Sequence, residues 1–491
     1  MKKYILELAV FVCGAVVMIF ELVGSRVMAP YLGTSIFVWS SLIGVILGSL
    51  SLGYWAGGRL SDKNAKLEFL AFIILLSAIF LVLFNLVKDF VLISFSGLDL
   101  SLRINALVSS LVLFTLPSFL FGLVSPYAAK LKINNLKTLG STVGNLYAIS
   151  TVGSIFGTFL AGFYLIPFFG TTKIIYIIAI ILVLVSLALF STHFKVSRGV
   201  LVGVFILLFF TPGLSELQAG GLVSVDTMYN RVVIYNSLDL DTKKPIKRMR
   251  INDNNSSAMF LDNEDLVFEY TKFYDLAEHF NPGFKKSLLI GGAAYSYPKH
   301  YLKKYPNAFL DVVEIDPQLT DLAKKYFNLK DNVRLKIYHE DGRIFLNKTN
   351  EKYDVIFGDA FKSLSSIPFH LTTREATQKI YDSLEDNGVV LVNIISTLEG
   401  ESGKFLHSEY KTYKSVFPQV FLFPVRDSQD GTLLQNIILV ALKSKKPAVL
   451  NSDNSVLSGF LQNLLVGGVV DDVEILTDEY APVEYYVSQV F

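Results

Sequence analysis

Seven long apolar runs crowd the first 213 residues, near 4–24, 36–57, 67–88, 104–128, 141–166, 173–192 and 199–213. Most have the length needed to cross a bilayer. Hydrocarbon offers no partner to a backbone N–H or C=O, so such runs span a membrane only as helices. The same 213 residues hold fourteen Lys/Arg and only six Asp/Glu. A signal peptide explains one apolar segment, not seven, so the runs are structure rather than targeting. After Thr211-Pro-Gly213 the composition becomes that of a chain folding in water. The expected organisation is a helical membrane bundle over 1–213, a β-rich part over 214–284 and an α/β domain over 285–491.

Glycine is frequent in the runs, as at Gly44, Gly48, Gly53, Gly57 and Gly58, and at Gly140, Gly144, Gly153, Gly157 and Gly162. Small residues let helices approach closely in lipid, and a translocation path is the alternative use. Glu21 is an acid in an apolar run, five residues before Arg26. It stands either as a functional group or as an interfacial one near a span end. Lys/Arg fall mainly at the N-terminus and in the 59–66, 130–140 and 193–198 loops, ten in all, against four in the alternate loops. The positive-inside rule therefore places the N-terminus in the cytoplasm. Seven full crossings would put the soluble half outside. The fifteen-residue run 199–213 is short for a span, which leaves the soluble half on the cytoplasmic side of an inner membrane. Cys13, the only cysteine, excludes disulfides and cysteine metal sites within one chain. The basic stretch from Lys243 to Arg250 reads as a charged hairpin or loop, and no nucleic-acid partner is expected.

The soluble half alternates strands and helices. Ser287–Ile290 runs into a small-residue turn at Gly291 and Gly292, and Phe309–Ile315 follows about twenty residues later. Val333–Tyr338, Tyr353–Phe357 and Gly388–Ile395 continue the pattern, with Val420–Val425 and Asn436–Leu442 as an antiparallel edge. This is a doubly wound, Rossmann-like order, preceded by a hairpin region at Tyr229–Tyr235 and Lys247–Ile251. It places Glu314, Asp316, Asp341 and Asp359 at the carboxyl ends of successive strands, where open α/β sheets bind ligands. Gly291 and Gly292 leave room for a ligand close to the backbone. Glu314 suits ribose hydroxyls, Asp341 with Gly342 an adenine amino group, and Asp359 the middle of the cleft. Tyr229 and Tyr295 stand either as cation–π partners for a bound cation or as packing. His370, just before the helix start Thr372-Thr-Arg-Glu375, stands either as a substrate contact or as part of that start. No His/Cys/Asp cluster has metal-site spacing.

These pieces resemble class I S-adenosylmethionine-dependent transferases, and among them the spermidine-synthase-type aminopropyltransferases. The resemblance rests on Tyr229-Asn-Arg-Val-Val, Leu289-Ile-Gly-Gly, Val313-Glu-Ile-Asp-Pro317, Glu340-Asp-Gly342, Tyr353-Asp-Val-Ile, Gly358-Asp359-Ala and Asp386-Asn-Gly-Val-Val. Ile367-Pro-Phe-His-Leu-Thr-Thr-Arg-Glu375 and the tail Leu476-Thr-Asp-Glu-Tyr-Ala-Pro-Val-Glu484 look like the membrane-fused bacterial branch. It implies a sulfonium substrate, S-adenosylmethionine or its decarboxylated form, and release of 5′-methylthioadenosine without a metal. It further implies Asp359 as the group that takes or steers the amine proton, and a homodimer.

The chain departs from the family at two acids. Its turn reads Gly291-Gly292-Ala293-Ala294-Tyr295, with Ala294 where the family has an aspartate. Lys362 stands where a second acid follows Asp359. An unpartnered buried ammonium costs several kcal/mol, so the ordinary diamine site is weakened. Three readings stay open. One is aminopropyl transfer to an unusual acceptor, with Glu269 or Glu375 rebuilding the site. Another is cleavage of S-adenosylmethionine by its own carboxylate, giving methylthioadenosine and a homoserine lactone, with Lys362 attracting that carboxylate. The third is a non-catalytic nucleotide sensor or transporter regulator.

Overall fold

The computed structural model describes residues 4–63, 65–96, 100–133, 138–190, 222–252, 254–360, 367–467, 469–471 and 473–488. The chain divides into two compact units, one of helices and one of α/β type, and the short segment Met228–Arg231 groups with the helices. The apolar run 199–213 and Lys362 lie outside the described residues.

Among the described residues the helical unit has six helices long and apolar enough to cross a membrane. They are α1 (Ile5–Leu32), α2 (Ile36–Lys63), α3 (Leu67–Ser96), α4 (Leu102–Lys132), α5 (Leu139–Leu160) and α6 (Thr171–Phe190). Several outrun the apolar runs that announce them. The helix α1 continues to Leu32, so Arg26 is inside it rather than beyond its end. Close packing accounts for part of the glycine pattern. A Cβ at Gly53 or Gly57 would meet α4 backbone, and one at Gly153 or Gly157 would meet α1 backbone. Gly44, Gly48, Gly58, Gly140, Gly144 and Gly162 face open space instead.

The α/β unit begins with a four-stranded antiparallel sheet, β1 (Val223–Asp226), β2 (Arg231–Leu238), β3 (Pro245–Ile251) and β4 (Asn254–Phe260), in that order. It is larger than a hairpin because β1 and β4 add to the β2–β3 pair. The basic stretch forms the turn and third strand of this sheet, with Lys243 at φ +59°. Alternation drives it: Val232, Ile234, Met249 and Ile251 turn one face inward with Ala294 and Phe327.

The seven-stranded sheet comprises β5 (Lys286–Ile290), β6 (Phe309–Val313), β7 (Leu335–Tyr338), β8 (Tyr353–Gly358), β9 (Leu384–Ser396), β10 (Gln419–Pro424) and β11 (Gln435–Leu442). The order is β10-β11-β9-β8-β5-β6-β7. Strands β7, β6, β5, β8 and β9 are parallel, while β10 and β11 pair antiparallel at one edge. The parallel strands are covered on both faces, so Leu288, Leu289, Val355, Ile356, Phe357 and Val389 form nearly unbroken apolar runs. Strand order reverses between β5 and β8. Their ends meet with Ile290 beside Gly358, which sets a cleft at that point.

Candidate functional site

At this switch point Gly291 has φ +101°, and a Cβ there would run into the carbonyl oxygen of Asp359. Only glycine meets both conditions. The Asp359 N–H donates to the Ile290 carbonyl at 2.9 Å, which locks the two strand ends together. Asp359 is thereby held at the cleft with its carboxylate half-buried.

Two side chains grip that carboxylate. The Tyr270 hydroxyl donates to one oxygen at 3.0 Å, and the Asn393 amide donates to the other at 3.0 Å. Asn393 in turn accepts from Asn436 at 2.9 Å, so a polar relay crosses β11, β9 and β8. The Tyr274 hydroxyl is fully buried. Among the described residues it makes no well-formed hydrogen bond, yet it stands close enough to Asp359 to favour its charged form. Burial pushes the Asp359 carboxyl above the ordinary carboxylate range, while Asn393, Tyr270 and Tyr274 oppose that rise. The result is a carboxylate of fixed orientation at the cleft.

Tyr270, Tyr274 and Asn393 were not singled out by sequence. Their signals exist: two tyrosines four residues apart on a helical pattern, and one amide in the apolar run Val389-Val-Leu-Val-Asn393. Leu266 to Phe280 has helical spacing, but the segment is broken into Glu269–Lys272, a 3-10 turn at Phe273–Asp275, and Leu276–Phe280. That segment turns Tyr270 toward Asp359. Its neighbour Glu269 is exposed and pairs with Lys272 at 2.7 Å, so it does not rebuild an amine site there.

The other carboxylates are occupied by the chain itself. Glu314 is 6% exposed and accepts from the N–H groups of Gly292 at 2.9 Å, Ala293 at 3.0 Å and Asp316 at 3.0 Å. Burial raises its pKa and these three donors counter the rise. A carboxylate has about four lone-pair sites, so one remains for a ribose hydroxyl rather than the two expected. Asp316 is fully buried, accepts from Gln318 N–H at 3.2 Å as a helix N-cap, and accepts from the Thr227 hydroxyl. It is a structural cap, not a cofactor contact. Asp341 also caps a short helix, accepting from Arg343 N–H at 2.9 Å and Ile344 N–H at 3.1 Å. Its second oxygen meets His370 Nε2 at 3.1 Å. Gly342 is needed at that helix start because a Cβ would press on Ile290.

His370 belongs to a wider clasp. Arg343 donates to the His370 carbonyl at 3.1 Å, to the Thr373 hydroxyl at 3.1 Å and to Asp478 at 2.7 Å. Thr373 donates to Asp478 at 2.6 Å, and Glu375 accepts from Asp478 N–H at 2.9 Å. The Ile367–Glu375 and Leu476–Glu484 stretches, far apart in sequence, thus meet beside Asp341. Glu375 serves this clasp.

The turn after β5 sends two of its side chains into the core. Tyr295 points into the core with no exposed surface, its hydroxyl 2.7 Å from Thr320, which is 2.9 Å from His339. It is packing, not a sulfonium partner. Ala294 is fully buried in the apolar cluster shared with β2 and β3. Ala293 and Tyr295 have φ +44° and +56°, so the turn keeps a left-handed path at two non-glycine residues. Tyr229 belongs to the segment grouped with the helices, where its carbonyl accepts from Arg26. Among the described residues no cluster of His, Cys, Asp or Glu could hold a metal ion.

A family model described as spermine/spermidine synthase domain matches residues 269–453. The polyamine aminopropyltransferase of Vibrio vulnificus is 29% identical over 176 residues, covering 35% of this chain and 57% of that protein. A probable polyamine aminopropyl transferase of Bifidobacterium longum is 32% identical, over 27% of this chain and 28% of its own length. The chain thus spans less than two thirds of the length of these relatives. The polyamine aminopropyltransferase 2 of Aquifex aeolicus is 23% identical over 402 residues, covering 79% of this chain and 78% of that protein. The soluble half alone cannot supply that share, so the match runs into the helical half. A crystal structure of a probable spermidine synthase from Corynebacterium glutamicum is 25% identical, covers 50% of this chain and 88% of its own, and has a TM-score of 0.42. Together with the sheet order and the cleft at Gly291 and Asp359, the sequence matches establish that this chain carries a spermidine synthase-like domain of the class I S-adenosylmethionine-dependent fold.

Proposed function

We propose that the protein is a membrane-anchored aminopropyltransferase-type enzyme. It takes decarboxylated S-adenosylmethionine as donor and an amine as acceptor. The observation that carries this is Asp359: a carboxylate at the switch point, raised by burial and steered by Tyr270 and Asn393. A pure nucleotide binder has no use for such a group.

The step needs little beyond placement. The acceptor nitrogen attacks the propyl carbon beside sulfur. The carbon–sulfur bond breaks, its electron pair stays on sulfur, and neutral 5′-methylthioadenosine leaves. The new ammonium gives its proton to Asp359, which acts as general base. The turn at Gly291 and Gly292 and the free lone pair of Glu314 would receive the ribose. Asp341 and Gly342 would border the adenine. Ala294 and Lys362 supply no acid to pair with a diamine's ammonium, which supports an acceptor other than an ordinary diamine.

Incubating the full-length protein with each sulfonium, with and without amines, and weighing the products tests this. Methylthioadenosine should require both the decarboxylated donor and an amine. Its release from S-adenosylmethionine alone would establish the lyase instead, and binding without turnover a sensor.

We further place the α/β unit on the cytoplasmic side. Support comes from the Lys/Arg distribution and from an even number of spanning helices among the described residues. Labelling of a cysteine introduced in 214–491, in sealed vesicles, only from the exterior face would reverse that placement. The homodimer that the resemblance implies is read from sedimentation of the purified protein.

A further inference from the structure

The carboxylate of Asp359 is steered from two strands away. Strand β9 lies beside β8, and β11 lies beyond β9. The parallel pairing of β8 and β9 sets Gly358 beside Val392, so Asn393 stands level with Asp359. Strand β11 pairs antiparallel with β9, with Ile438 opposite Asn393. Asn436, two residues before Ile438, is on the same face of the sheet. It is thereby a diagonal neighbour of Asn393. The two amides meet at 2.9 Å, and Asn393 meets Asp359 at 3.0 Å.

Chemistry fixes the direction of both bonds. An ionised carboxylate only accepts, so Asn393 has to turn its Nδ2 toward Asp359. Its Oδ1 then points the other way and needs a donor. Asn393 is 3% exposed within the apolar run Val389-Val-Leu-Val-Asn393-Ile-Ile395, whose side chains offer none. An amide oxygen left unpaired there is costly. Asn436 Nδ2 is the donor. Without it, a half-turn of the Asn393 amide would set its carbonyl oxygen against the carboxylate. The strand end that carries Asn436 is itself pinned. Val425 N–H donates to the Asn436 carbonyl at 3.0 Å. The adjacent Gln435 side chain accepts from Arg426 N–H at 2.8 Å and Asp427 N–H at 3.1 Å, and donates to the Asp427 carbonyl at 2.6 Å. A donor on so fixed a backbone holds its partner in one orientation.

We propose that Asn436 is a positioning residue for Asp359: it locks the Asn393 amide with its N–H side toward the carboxylate. Burial raises the Asp359 carboxyl, and Asn393 is first among the contacts that oppose the rise, so the lock favours the ionised form. The other titratable groups acting on this carboxyl, among the described residues, are Tyr270 and Tyr274. Burial pushes both phenols well above their ordinary range, so they stay neutral while Asp359 titrates. The part Asn436 plays in catalysis rests on aminopropyl transfer, whereas its hold on the carboxylate does not.

The test uses the full-length protein in lipid nanodiscs. Infrared difference spectra across pH follow the carboxyl band of Asp359, identified by its absence in Asp359→Asn. Asn436→Leu removes the donor at similar volume and should move the midpoint of that band to higher pH. Asn436→Ala should do the same if leucine crowds the strand end. Asn393→Leu should move the midpoint further, and adding Asn436→Leu to it should move it no more. In the turnover assay the acidic limb of kcat/KM should shift with the band. A midpoint indifferent to both Asn436 variants, or shifts of Asn393→Leu and Asn436→Leu that simply add, would overturn the role, even in a protein that transfers aminopropyl groups. A shifted band in a protein that turns over neither sulfonium would uphold Asn436 and remove the enzyme instead.

Discussion

The turns after β5 and β6 and the turn after β8 open on one edge of the same sheet, but they treat their carboxylates differently. Glu314 and Asp316 are consumed by backbone N–H groups and a threonine hydroxyl. Asp359 is held by a tyrosine and an asparagine side chain and keeps an open face toward the cleft. The difference lies in who satisfies the charge. A carboxylate bound by main chain fixes the fold, whereas one bound by side chains at a cleft stays available for chemistry. Position at a strand end does not separate the two.

Substitutions can break this contrast. The largest effect belongs to Asp359→Asn, which should lower kcat by about 10²–10⁴-fold while leaving nucleotide affinity, read by calorimetry, nearly unchanged. Retained activity would move the proton acceptor elsewhere. Gly291→Ala forces a left-handed alanine against the Asp359 carbonyl. It should cost about 2–3 kcal/mol in denaturant unfolding of the α/β unit and reduce activity with it. Asp316→Ala should cost about 1–2 kcal/mol through the lost cap, with no specific loss of nucleotide binding.

The pH dependence sharpens the role of Tyr270. Burial raises the Asp359 pKa, so the base loses activity as pH falls through a value above the ordinary carboxylate range. The acidic limb of kcat/KM should therefore sit above that range. Tyr270→Phe removes a donor that favours the charged form, so this limb should move to still higher pH. A limb that does not move would leave Tyr270 a packing residue. The linkage has the opposite face in stability. The folded state binds the proton more tightly than the unfolded state, so ionising Asp359 costs stability as pH rises through its folded value. That loss should be absent in Asp359→Asn. The smallest effect is expected at Ala293→Gly, which relieves a left-handed alanine and should stabilise the unit by about 0.5–1 kcal/mol.

Much of the fold was legible in residue order. Seven apolar runs were announced, six of which are long helices among the described residues, and the strand pattern announced the sheet and its antiparallel edge. The helix ends were less legible, because α1 continues through Arg26 to Leu32, where hydropathy alone stops early. At the site, Gly291 and Asp359 were legible because their spacing follows strand ends. For Tyr295 the sequence left packing and a cation contact open, and the tertiary structure buries its ring in the core. Tyr270 was not legible, because nothing local in the sequence shows that its hydroxyl meets Asp359.

The sequence by itself determined where the chain changes solvent, which strands form the sheet, and which residues stand at their carboxyl ends. These depend on hydropathy and periodicity, which are local. Tertiary structure decided which carboxylate is free. That depends on N–H and O–H groups arriving from distant elements, Thr227 onto Asp316, Tyr270 and Asn393 onto Asp359, and Asp478 onto Arg343 beside Asp341.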